Sequence, residues 1–199
     1  MDNNNNISDT QKRIIETTLK MIGVNGNLNV TVRDIASEAD VNLASINYYF
    51  RSKENLFNEV ENYFSELILN IEKVFYDKTI PPRDRIIIWA NKSLVLYFTY
   101  PGIILMVTKK IIENEKVGHT LGDRVYGISD ALPGLVAEIT GIEDSKIIAM
   151  KCTQITSGMI NPIIMQFGIL KNSGIDFTNA ETRNEYITSL VDSIVNKKG

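Results

Sequence analysis

Two side chains could in principle do covalent chemistry in this 199-residue chain, the single His119 and the single Cys152. Neither has a companion that would activate it. His119 stands in the polar stretch "KVGHT" with no acid or nucleophile beside it, and Cys152 falls on an apolar-faced helical stretch, where a buried inert thiol is the common role. No group of His, Cys, Asp and Glu has metal-ligand spacing, and no glycine-rich phosphate loop occurs. Neither an enzyme nor a cofactor is expected. A different chemistry gathers near residue 50. Asn47 carries an amide that can donate and accept at once, and Tyr48, Tyr49, Phe50, Arg51 and Lys53 follow it. Such a run suits either two tightly packed helices or a surface that reads nucleic acid.

The elements that would position these residues are helices. Apolar residues recur at three- and four-residue spacing almost throughout, and alternating strand patterns are rare. Ile14, Ile15, Thr18, Leu19 and Ile22 form one stripe, ended by Gly23 and Gly26. In "TVRDIASEAD", Thr31 followed three positions later by Asp34 is an acidic capping box, and Val32, Ile35, Ala36 and Ala39 supply the apolar face. Asp40 suits a left-handed exit from that helix. Asn42 can cap a short helix over 43–50, and Ser52 a long one running to Pro81-Pro82. Two short helices joined by a tight turn make a helix-turn-helix. Ile35, Ala39, Val41, Ile46 and Phe50 are expected in its core, with Tyr48 beside them.

Beyond Pro81-Pro82 the pattern predicts helices over 82–99 and 103–115. It predicts two more, 120–140 and 144–171, kinked or split at Pro133 and Pro162, and a last one introduced by a capping box in "TNAE". The net charge of −3 argues mildly against nucleic acid, but between Val41 and Lys53 there is no acid at all. A single cysteine fits a reducing compartment. The opening "MDNNNNISDT" has neither an apolar core nor a basic leader, and reads as a disordered tail over 1–10. No stretch is apolar for long enough to span a membrane, so a cytoplasmic protein without a membrane partner is expected.

The elements "TVRDIASEADV", "ASINYYF" and "SKENLF" resemble the DNA-binding region of the TetR family of transcriptional regulators, the match running from about Gln11 to Phe57. The family usually has Gly where this chain has Asp40, which leaves the turn possible. It commonly has Tyr where this chain has Asn47, which bears on the operator sequence. The resemblance implies an all-α protein. A three-helix DNA-binding domain with a helix-turn-helix would cover 11–52, and a larger helical effector-binding and dimerisation domain 53–199. It further implies a ligand-responsive regulator, most simply a repressor, that binds double-stranded DNA as a homodimer. A helical protein-interaction module without DNA binding is the alternative.

The matched positions assign expected roles. Leu43 and Ala44 can meet thymine methyls, Ser45 can donate or accept, and Asn47 can make a bidentate contact with adenine. Arg33 matches a base- or phosphate-reaching position. Thr31, Tyr49 and Lys53 match phosphate contacts, Lys53 at a helix start that adds N–H groups for an anion. The family's C-terminal domain encloses a small molecule, here expected to be largely apolar. Trp89, Tyr97, Met106, Tyr126, Met150 and Gln154 are pocket candidates, being large, adaptable or polar within apolar helices. Dimerisation through the last two helices would use Ile155, Met159, Ile163 and Phe167 on one, and Ile187, Leu190, Val191 and Ile194 on the other.

Overall fold

The computed structural model describes residues 8–23, 29–113, 130–166 and 173–195. Among them the chain is helical throughout, with no strand. Helix α1 (Asp9–Met21) begins inside the stretch expected as a tail. Ser8 accepts from the Gln11 N–H while the Gln11 side chain reaches back to Ser8, a complete capping box that makes Asp9 and Thr10 helical. Helix α2 (Val32–Glu38) opens on the anticipated Thr31–Asp34 capping box, and α3 (Leu43–Phe50) on Asn42, whose side chain accepts from the Ala44 N–H. Ser52 caps α4 (Lys53–Glu72) through the Asn55 N–H at 3.1 Å.

Helix α4 stops well before Pro81. It tightens into a 3₁₀ turn, Lys73–Tyr76, and Asp77 then accepts from both the N–H and the hydroxyl of Thr79, folding the chain back. Phe75, held by that turn, packs on Trp89 with ring centroids 5.1 Å apart. Helix α5 (Pro82–Thr99) follows the sequence reading. Helix α6 (Pro101–Ile112) starts earlier than expected, because Pro101 fits a first helical position, and it leaves α5 at 86°. In α7 (Ala131–Thr140), Pro133 lies in the first turn, where its missing N–H has no intrahelical acceptor, so it causes no break. Helix α8 (Ser145–Met165) runs through Pro162 unsplit, and α9 (Ala180–Val195) is capped by Asn179 instead of Thr178.

One contiguous core runs through the described residues, from Ile14, Leu19, Ile46 and Phe64 to Leu94, Ile155 and Val191. Helix α4 joins its N-terminal and C-terminal parts. A second joint lies between the end of α1 and the start of α6. A Cβ on Gly102 would sit 1.9 Å from the Ile22 carbonyl oxygen, and one on Gly23 would sit 2.2 Å from the Gly102 Cα. Only two glycines allow that backbone approach. Nearby, the Tyr63 hydroxyl donates to Glu16 at 2.6 Å, tying α4 to α1.

Among the described residues no single helix is long and apolar enough to cross a membrane. The bent pair Pro82–Thr99 and Pro101–Lys109 passes on composition only when its two helices are taken together.

Candidate nucleic-acid interface

Helix α3 is held by two residues and offers four. Ile46 and Phe50 are only 2% and 3% exposed, with Ile35 of the preceding helix and Ala39 at its end also buried and Val41 half-buried at the turn. Leu43, Ala44, Asn47 and Tyr48 stand out on the opposite face at helical spacing. Ser45 and Tyr49 lie at the flanks, half-buried. The expectation for Tyr48 is thereby reversed. It is 80% exposed, whereas Tyr49 packs against the core between Tyr48 (5.1 Å, edge-on) and Phe50 (6.3 Å). A helix turns about 100° per residue, so three successive aromatics point in three directions, and with Phe50 buried Tyr48 falls on the outward side.

The turns at both ends of the α2–α3 pair are set by backbone choices. Asp40 takes φ 49°, as its place in the turn suggested, and the Val41 N–H then reaches the Ala36 carbonyl at 2.9 Å. Arg51 takes φ 64° directly after α3, and its N–H closes on the Asn47 carbonyl at 3.0 Å. The Asn47 backbone is therefore pinned while its side-chain amide stays in solvent.

Cations and acids both surround this face. Arg33, Arg51 and Lys53 are exposed, and so are Asp34, Glu38, Asp40 and Glu54. Lys53 opens α4 with its ammonium 5.2 Å from the centre of the Phe57 ring, one turn on, a contact that keeps the charge by the helix N-terminus. Thr31 is less available than its matched position implies. Its hydroxyl donates to Asp34 at 2.6 Å, and its N–H bonds the same carboxylate, holding Asp34 below the usual carboxylate range. A phosphate would have to displace that hydroxyl hydrogen bond.

The other anticipated residues separate cleanly by burial. Trp89, Tyr97 and Met106 are inside the C-terminal part, and Tyr97 stacks on Phe64 of α4 at 6.2 Å. Met150 (53% exposed) and Gln154 are on the outside of α8, because the inward side of that helix is taken by Cys152, Ile155, Met159 and Ile163. They line no interior site. Burial pushes the Cys152 thiol up, which suppresses its reactivity.

Most of the residues expected to meet a partner subunit face the chain's own core. Ile155, Met159, Ile163, Ile187, Val191 and Ile194 are at most 8% exposed within one chain, and Leu190 is half-buried over Gly158. They lock α9 onto α8. Tyr126, Phe167 and His119 lie outside the described residues. Sequence reasoning missed Arg85 and Ser93, only 3% and 1% exposed on α5. Their spacing of four from Trp89 was the available signal.

Comparison with known proteins agrees with this geometry. Residues 14–60 match the family model described as "Bacterial regulatory proteins, tetR family". The HTH-type transcriptional regulator BetI of Agrobacterium fabrum is 45% identical over 49 residues, 25% of this chain and 24% of that protein. The HTH-type transcriptional dual regulator CecR of Shigella flexneri is 38% identical over 58 residues, 29% and 26% of the two chains. The matched stretch thus spans about a quarter of these curated relatives. The fold as a whole is similar to a crystal structure of a HlyIIR linker mutant, with TM-score 0.67 and 22% identity, covering 94% of this chain and 98% of that one. It is also similar to a TetR-family structure from Mesorhizobium loti, with TM-score 0.63 and 13% identity, covering 93% and 94%. Residues 14–60 of this chain thus form a helix-turn-helix domain of the type found in the TetR family of bacterial regulators, set on an all-helical fold similar to that of solved TetR-family structures.

Proposed function

We propose that this regulator is a repressor that binds a palindromic operator as a homodimer in the cytoplasm, does no catalysis, and lets go when a largely apolar small molecule enters the C-terminal domain. The observation that carries the reading is the outward face of α3, where Leu43, Ala44, Asn47 and Tyr48 are offered together while Ile46 and Phe50 anchor the helix from behind. Laid in a major groove, Asn47 reads an adenine edge and Leu43 and Ala44 meet thymine methyls. Ser45 sits at the edge of that contact. Arg33, Tyr49 and Lys53 reach the phosphates on either side, with Thr31 joining them if its bond to Asp34 yields.

Two readers must enter successive major grooves about 34–36 Å apart. Helix α4 and the Gly23–Gly102 joint both connect reader to C-terminal domain, so a ligand that reshapes the latter alters that separation. It releases DNA only insofar as it binds the wrongly spaced state better.

The test is a footprint of the purified protein over the region upstream of its own and adjacent genes. Two protected half-sites related by a two-fold are expected. No protected site even at low salt overturns the reading, and would leave the helical interaction module, which the exposed Asp34, Glu38, Asp40 and Glu54 around the reader favour.

A further inference from the structure

Four buried side-chain polar atoms among the described residues have no hydrogen-bond partner: Arg85 Nε, Trp89 Nε1, Ser93 Oγ and Arg183 Nε. Three of them stand on α5 at intervals of four residues, and Arg85, Trp89 and Ser93 are only 3%, 2% and 1% exposed. Such spacing puts them on one face of the helix, about 6 Å apart along its axis. Native proteins keep few unmet polar groups in the interior, because each forfeits the hydrogen bonds it had in water. Three in a row on one helix are out of place in a region that only packs.

Their surroundings narrow what is missing. Arg85 is partly engaged, Nη1 donating to the Phe75 carbonyl at 2.8 Å and Nη2 lying 3.7 Å from Glu138, so its charge already has a counterion. Trp89 rests its ring on Phe75, and Tyr97, four residues beyond Ser93, stacks on Phe64. The row therefore begins at the 3₁₀ turn and α7 and points towards α4, the helix that carries the reader. The indole and guanidinium N–H groups can only donate, and the serine hydroxyl can do either. A complementary molecule supplies acceptors and needs no negative charge.

We propose that Arg85, Trp89 and Ser93 form the polar rail of the effector site, and that it takes an uncharged, elongated apolar molecule carrying at least two hydrogen-bond-acceptor oxygens, of the diketone or diester class. This rests on reading the C-terminal domain as an effector domain. A molecule laid along the rail spans the distance from Phe75 towards the Phe64–Tyr97 contact, and so meets both ends of the segment that leads to the reader.

Trp89 is the only tryptophan, so the full-length protein labelled with ¹⁵N gives one indole N–H resonance for this site. The probes are 1,4-diacetylbenzene and diethyl adipate, with 1,4-diethylbenzene, which keeps the first probe's skeleton without its oxygens, as comparator. A saturable downfield shift of the indole proton is expected with both oxygenated probes, and binding of the hydrocarbon weaker by about fivefold or more. Ser93→Ala should raise the Tm of the free protein, because an unmet hydroxyl is gone, and yet weaken diketone binding about fivefold. A residue that merely packs would not move the two readouts in opposite senses. An indole resonance unmoved by both oxygenated probes overturns the proposal. So does one moved equally by the hydrocarbon, or one that stays in fast exchange with water at saturation, since ordered water is then the partner. Operator release is followed in parallel. A shifted indole with DNA retained leaves the rail standing and removes the effector-release reading. Release of DNA by another molecule with the indole unmoved does the reverse.

Discussion

Asn47 and Lys53 sit on the same exposed surface but do different kinds of work. The amide of Asn47 can pair with both N6 and N7 on the major-groove edge of one adenine, which no phosphate requires, whereas Lys53 offers a point charge beside a helix N-terminus. Lys53→Ala should weaken binding to every sequence alike and reduce the slope of log affinity against log salt by about 0.9 per half-site. Asn47→Ala should instead cost about 1–3 kcal/mol at one base position per half-site and little elsewhere. Binding isotherms on single-base operator variants at several salt concentrations check both. Equal weakening on all variants would remove Asn47 from base reading. The same scale shows what the sequence could and could not settle. Asp40 and Asn42 were legible because turn and cap chemistry is local to a few residues. Tyr48 was not, because the placing of one residue of an aromatic run depends on where Ile46 and Phe50 anchor the helix, and the whole α2–α3 packing decides that.

Between elements, the α8–α9 contact is the most specific piece of chemistry in the C-terminal part. Pro162 has no N–H, so the Gly158 carbonyl four residues earlier lacks its helical partner. The Tyr186 hydroxyl of α9 donates to that carbonyl at 2.6 Å. Gly158 is also what lets α9 come so near, since a Cβ there would lie 2.7 Å from the Leu190 methyls. Burial without a countercharge pushes the Tyr186 phenol up, so the hydroxyl keeps its proton for donation through the neutral range. Tyr186→Phe should therefore destabilise the protein by about 1–2 kcal/mol in urea unfolding. The loss should shrink by at least half in a Pro162→Ala background, where the new N–H satisfies the same carbonyl; additive losses would disprove the pairing. From sequence, Pro162 read as a place to break. The helix passes through intact because a residue 24 positions later in the chain, by the numbering of Tyr186 and Pro162, mends the bond, and no local pattern announces that. The early end of α4 has a similar cause. Its apolar stripe continues to Val74, but the Asp77–Thr79 turn and the seating of Phe75 on Trp89 stop the helix first.

For the molecule as a whole, the proposed dimer requires a surface that brings two readers together. An apolar stripe on a helix looks the same in sequence whether it faces its own core or a partner, and the stripes of α8 and α9 are buried within the one chain. What α8 leaves outside is a second stripe, Ile147, Met150, Gln154, Ser157 and Asn161, at the three- and four-residue alternation of a helix–helix seam. Ile147 and Met150 are 43% and 53% exposed, large apolar side chains side by side at the upper end of it. Small polar residues further along would let two such helices approach closely. If this stripe meets its own copy about a two-fold axis, a charge placed in it faces the same charge on the partner. The wild-type protein should then scatter light as two chains of 22.4 kDa, and Met150→Asp as one, with the helical circular dichroism unchanged. The variant should also lose affinity for a palindromic operator by about 100-fold or more, because each reader would bind its half-site alone. A wild-type protein that stays monomeric at micromolar concentration while still protecting two half-sites would break the link between this face and DNA reading, and with it the mechanism in which effector binding acts by changing the distance between readers.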